Sequence, residues 1–113
     1  MTNNKVMSLL GLATKAGKLV SGEFMVEKTI KEGKALLVLV ANDASDNTRK
    51  KFFNMCEYRK VPMYIFGDKL SLGHDIGKEM RVVVAVLDAG FKDAIVKQLD
   101  LINGGSKSGE NEN

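Results

Sequence analysis

Phe24, Lys28 and Lys31 follow one another at spacings of four and three residues, so on a helix they share one face, while Val26 and Ile30 fall on the opposite side. A cationic stripe beside an aromatic ring suits a nucleic acid. Lysine ammonium groups neutralise phosphates, and a ring stacks on an unpaired base, which is how much single-stranded or bulged RNA is held. The same spacing also describes an ordinary solvated face, with Glu27 and Lys31 as an i,i+4 ion pair and Phe24 tucked under a neighbouring loop. Just before this helix, Ser21-Gly22 leaves an amino end with free N–H groups, and Asn42-Asp43-Ala44-Ser45 does the same for the next one. Both turns are candidate anion-binding points or simple helix caps. Lys78-Glu79-Met80-Arg81 is a third polar turn, and only the tertiary fold can bring it alongside the other two.

Other chemistries lack their residues. Gly11-Leu12-Ala13-Thr14-Lys15-Ala16-Gly17 has the wrong order for a phosphate-binding GxxxxGK[ST] loop, and no GxGxxG follows a strand. Cys56 sits on the apolar face of a helix, where it reads as a small hydrophobe, and His74 has no carboxylate or cysteine partner in sequence. With one cysteine and one histidine, neither an internal disulfide nor a zinc cluster is expected. The six methionines fit core gap-filling. No enzyme, no cofactor and no metal is the expectation.

The elements that must position these groups are legible from apolar periodicity. Val6, Leu9, Leu10 and Ala13 predict a first helix over 4–16, ending at Gly17, and Lys18-Leu19-Val20 a short edge strand. Ser21 then caps a helix ending at Gly33. Ala35 to Ala41 is a continuous apolar run, and such strands are covered on both faces. Asp43 or Ser45 caps a third helix to Arg59, with Phe52, Met55 and Cys56 on one face; Met63 to Phe66 follows as a strand after Pro62. Gly67-Asp68 opens a short helix to Gly77, Val82 to Leu87 is another buried strand, and Asp88 caps a last helix with Phe91, Ala94, Ile95, Gln98 and Leu99 on one face. Helices alternating with apolar strands predict an α/β fold, a three-layer α/β/α sandwich around a small mixed four-stranded sheet.

At 113 residues the chain supports one domain over 1–102, and the polar, glycine-rich 103–113 reads as a disordered tail. The net charge of +3 favours anionic partners mildly. No apolar run reaches the ~18 residues of a membrane span and no secretory leader follows Met1, so a cytoplasmic protein without membrane contact is expected.

SGEFMVEKTIKEGKALLVLVANDAS resembles the second helix and following strand of the kink-turn-binding ribosomal protein superfamily of the L-seven-Ae type, and LGHDIGKEMRVVVAV resembles that family's LGxxxG loop and final strand. The match spans residues 5 to 100 in collinear order, and GLATKAGKLVSG and NDASDNT are similar to its bacterial YlxQ-like branch. The resemblance implies RNA binding at a kink-turn or related bent internal loop, in association with ribosomes or other ribonucleoproteins and without catalysis. The implied partners are ribosomal or other structured RNA, together with ribosomal or translation-related proteins, and the implied state is a monomer. It implies an RNA-binding surface formed by Gly22, Glu23, Phe24 and Lys28, by Asn42 and Ser45, by Lys69, and by Lys78, Glu79, Met80 and Arg81, to which the cationic stripe adds Lys31. Gly22 would let the backbone approach RNA, Lys28 would contact a phosphate or base, and the 79–81 loop would pack against a flipped-out base.

One departure stands between these anchors. Members with defined kink-turn specificity place Asn-Glu where this chain has Phe24-Met25, and these side chains cannot hydrogen-bond the edges of sheared G·A pairs. Losing a bidentate base contact costs about 1–3 kcal/mol, on the scale known for protein–DNA contacts. Two expectations therefore coexist: RNA recognition carried by lysines, and a protein-interaction module in which Phe24 and Met25 anchor a partner.

Overall fold

In a computed structural model, residues 2 to 102 are described; the expected tail at 103–113 lies outside the described residues. The elements run α1 (Thr2–Lys15), β1 (Leu19–Ser21), α2 (Glu23–Lys31), β2 (Leu37–Val40), α3 (Asp46–Arg59), β3 (Met63–Ile65), α4 (Lys69–Asp75), β4 (Val83–Val86) and α5 (Ala89–Ile102). None of these helices is long and apolar enough to cross a membrane.

The two continuous apolar runs are the centre of the sheet, and every residue of β2 and β4 is buried. Alternation sends Leu37, Leu39, Val84 and Val86 to one face, where Val6 and Leu10 of α1, Leu72 of α4, Ile76 just after it, and Ile95 and Leu99 of α5 cover them. Val38, Val40, Val83 and Ala85 point the other way, onto Val26 and Ile30 of α2 and Phe52 and Cys56 of α3. Each fully buried aliphatic side chain contributes about 1.5–3 kcal/mol, so this two-sided burial fixes the register. A three-layer α/β/α sandwich results.

The sheet is mixed and four-stranded, in the order β1-β4-β2-β3. β4 runs antiparallel to both β1 and β2, whereas β2 and β3 are parallel. Ser21 lies opposite Val84 and Val40 opposite Val83, so the ends of β1 and β2 meet the start of β4 at one edge of the sheet.

One helix start differs from expectation and another is decided between two candidates. Ser21 does not cap α2: it is the last residue of β1, and the N-cap is Gly22. Of the two candidate caps for α3, Ser45 holds the position, its hydroxyl accepting from the Thr48 N–H at 3.1 Å. Asp43 instead accepts from the Lys69 N–H at 2.9 Å, tying the turn after β2 to the start of α4.

Candidate nucleic-acid interface

Because β1, β2 and β3 all run the same way, the helices that follow them all begin at one edge of the sheet. Their amino ends differ in one respect. Ser45 caps α3 and Asp68 caps α4 in a reciprocal capping box with Ser71, but α2 has no side-chain cap. Gly22 stands there at φ 91° and ψ 152°, a region essentially reserved for glycine. A Cβ at Gly22 would meet nothing within 4 Å, and no side chain caps the first N–H groups of α2. Such an end, with the positive pole of the helix behind it, accepts an anion.

The turns around it are joined by hydrogen bonds. The Gly22 N–H donates to the Val83 carbonyl at 2.9 Å and that of Ala41 to Val82 at 2.8 Å. The Asn42 N–H donates to Gly67 at 2.8 Å, and the Arg81 N–H to the Lys69 carbonyl at 3.1 Å. Arg81 Nε donates to Ser21 Oγ at 3.0 Å and its Nη1 to the Met80 carbonyl at 2.7 Å. The turns at Ser21–Gly22, at Asn42–Asp43 and at Lys78–Arg81 thus form one connected rim, which includes the start of α4.

The last of these turns depends on Gly73. A Cβ there would overlap the Glu79 carbonyl oxygen and lie 2.8 Å from its carbon and 2.9 Å from Met80 Cα, while the Lys78 N–H donates to the Gly73 carbonyl at 2.8 Å. The loop is therefore pressed onto α4.

Most of the residues named from the sequence come together on this rim, but their roles divide. Gly22, Glu23, Phe24 and Lys28 lie on the start and first turns of α2, and Phe24 is 79% exposed rather than tucked under a loop. Met25 is 40% and Met80 52% exposed, so apolar groups stand on two sides of the rim. Lys28 is exposed and has no acidic partner among the described residues, whereas Lys31 pairs with Glu27 at 2.8 Å, as the solvated-face reading expected. Lys31 also sits at the far end of α2, about 12 Å along the axis from its first residue, so the fold does not bring it to the rim.

Glu27 also receives Lys51 of α3 at 2.9 Å, and the two ammonium groups hold its carboxyl down at about 2, below the usual carboxylate range. Asn42 is exposed and its carbonyl accepts from Arg49 Nη1 at 3.4 Å; the Ser45 hydroxyl is used in the cap. Lys69 acts through its backbone, and Lys78 and Glu79 are exposed. Ser21 and Asp43, read from the sequence within candidate anion-binding turns, organise the rim through hydrogen bonds to Arg81 and Lys69, and Gly67 and Gly73 do so without having been singled out as site residues; LGxxxG spacing flagged Gly73, but not its contact with Glu79.

The rim can hold phosphates on backbone N–H groups and Lys28, and cover an unstacked base with Phe24 or Met80. Cys56 lies in the core, where burial pushes its thiol up to about 11. Among the described residues no three His, Cys, Asp or Glu side chains gather to hold a metal ion.

A rim of this kind on an α/β/α sandwich defines a class of small nucleic-acid-binding domain. The chain belongs to the ribosomal protein L7Ae/L30e/S12e/Gadd45 family, whose profile matches residues 4–96. It is 48% identical over 100 residues to the RNA-binding protein YlxQ of Bacillus subtilis (strain 168), covering 88% of this chain and 100% of that protein. The large ribosomal subunit protein eL8 of Picrophilus torridus is 31% identical over 109 residues, covering 96% of this chain and 86% of that one. Among solved structures, a Bacillus halodurans C protein of unknown function superposes with a TM-score of 0.82 at 40% identity, over 85% of this chain and 97% of that one.

Proposed function

We propose that this chain is a non-catalytic RNA-binding protein, associated with ribosomes or other ribonucleoproteins, that grips structured RNA at the rim formed by Gly22, Asn42–Asp43 and Lys78–Arg81. The observation that carries the reading is the uncapped amino end of α2 behind Gly22, with Lys28, which has no acidic partner among the described residues, about one and a half turns further on. The family and the names of its RNA-binding and ribosomal members support it. The chain works as a cytoplasmic monomer, and its target is a bent internal loop of the kink-turn kind. Affinity comes mainly from phosphate contacts, because Phe24 and Met25 offer no donors or acceptors to the G·A pairs.

A filter-binding titration at several salt concentrations tests this, using a kink-turn RNA and a control whose G·A pairs are replaced by Watson–Crick pairs. Lys28→Ala weakens both RNAs alike and lowers the salt slope by about 1. Phe24→Asn with Met25→Glu raises the preference for the kink-turn by about tenfold or more, the size of one regained bidentate contact. No saturable binding at low salt, or indifference to Lys28→Ala, defeats the site. The exposure of Phe24 and Met25 favours one other reading, a protein-binding face. Loss of a protein partner, with RNA binding intact, in Phe24→Ala would select it.

A further inference from the structure

At the end of the sheet opposite the rim lies a groove of about 600 Å³, lined among others by Ile30, Leu36, Arg59, Lys60, Pro62 and Lys92. Its place follows from topology: Ala35 and Leu36 precede β2, Val61 and Pro62 precede β3, and Ala89 opens α5 after β4. The floor is apolar and every charge in the lining is positive. Acids neighbouring this lining in sequence are engaged: Asp93 shares Lys92 at 3.3 Å, Glu32 pairs with Lys34 at 3.5 Å, and Asp88 accepts from the Phe91 N–H at 2.9 Å. On the α3 side Tyr58 is 81% exposed, with the Arg59 guanidinium 5.7 Å from its ring centre. Cations around an apolar trough beside an exposed ring are what a single-stranded nucleic acid needs: charge for its phosphates and an aromatic face for a base.

The groove is also continuous with the rim. α2 starts at the rim and ends at the groove, where Arg59 Nη1 donates to the Lys31 carbonyl at 3.0 Å. Its nine residues span about 13 Å, and Lys28 and Lys31 are exposed along the way. Of the acids along α2 and its cap, Glu27 is held by Lys31 and Lys51 and Glu32 by Lys34, while Glu23 is exposed at the rim end. One RNA can therefore lie on both.

We propose that the groove lined by Arg59, Lys60 and Lys92 is a second RNA contact, taking a single-stranded segment that flanks the structured element held at the rim. The proposal rests on the RNA-binding reading of the rim and adds a second footprint to it. Binding at two linked places multiplies affinity through effective concentration, and each phosphate neutralised steepens the salt dependence.

The test uses the full chain and two RNAs: a minimal kink-turn hairpin, and the same hairpin with ten-nucleotide single-stranded extensions on both strands of one stem. The wild type is expected to bind the extended RNA about tenfold more tightly and with a steeper salt slope. Lys60→Glu with Lys92→Glu abolishes that gain and leaves the minimal hairpin unchanged. Lys60→Gln with Lys92→Gln, checked by thermal melting, reduces the gain without reversing charge and covers any misfolding of the first variant. Equal wild-type affinity for the two RNAs, a gain that survives both variants, or an equal loss on both RNAs overturns the second contact while leaving the rim intact. Failure of the wild type to bind either RNA overturns the rim as well.

Discussion

At the scale of single residues, Gly22 and Glu27 show two ways in which the rim is held. Gly22 needs its conformation rather than its small size, since a Cβ would meet nothing. Gly22→Ala is therefore expected to cost about 1–3 kcal/mol of backbone strain, seen in chemical denaturation, and to weaken RNA binding by disturbing the first N–H groups of α2. Glu27 behaves through charge. Its folded pKa is depressed from 4.5 to about 2 by Lys31 and Lys51, so its ion pairs stabilise the protein above pH 4.5. That stabilisation fades as the pH falls from 4.5 to about 2, and salt weakens it because the pairs are solvent-screened. Glu27→Gln is expected to flatten stability against pH in that window in thermal melts, with a smaller difference from wild type in high salt. The lysine stripe was legible in the sequence, and so was the pairing of Lys31 with Glu27; the second cation on Glu27, Lys51, was not. Lys28 and Lys31 share a face, and only the approach of α3, with Lys51, shows how closely Glu27 is drawn into the pairing that occupies Lys31.

At the scale of elements, the strands and most helix starts were legible, with the start of α2 the exception. Ala35–Ala41 and Val82–Leu87 are continuous apolar runs, and the cores on both sides of β2 and β4 are what such runs require. Ser21 carries the right side chain for a cap, yet pairing with Val84 in the ladder takes it into β1 and leaves the cap to Gly22. Local preference lost to strand pairing. The loop at Lys78–Arg81 is set by α4, since Gly73 allows its backbone to lie against the helix. Gly73→Ala is expected to destabilise the fold by about 1–3 kcal/mol and to displace the loop. Its RNA affinity should fall at temperatures where circular dichroism still shows the protein folded. Unchanged affinity in the folded variant would remove this loop from the interface.

At the scale of the whole molecule, the rim is built from segments that are remote in sequence, from Ser21 to Arg81, and it exists because β4 stands between β1 and β2. That order was not legible: apolar runs reveal strands but not their neighbours, so nothing local said that the turn at Asn42 and the turn at Lys78 would meet. A fragment covering residues 1–81, which lacks β4 and α5, is expected to show no cooperative unfolding transition and no RNA binding. The central place of the last strand also bears on synthesis. As the chain leaves the ribosome, β1 and β2 emerge without the strand that must sit between them. The rim therefore cannot form until β4 has emerged, and a chain still being translated through β1 to α4 lacks the surface proposed to take RNA.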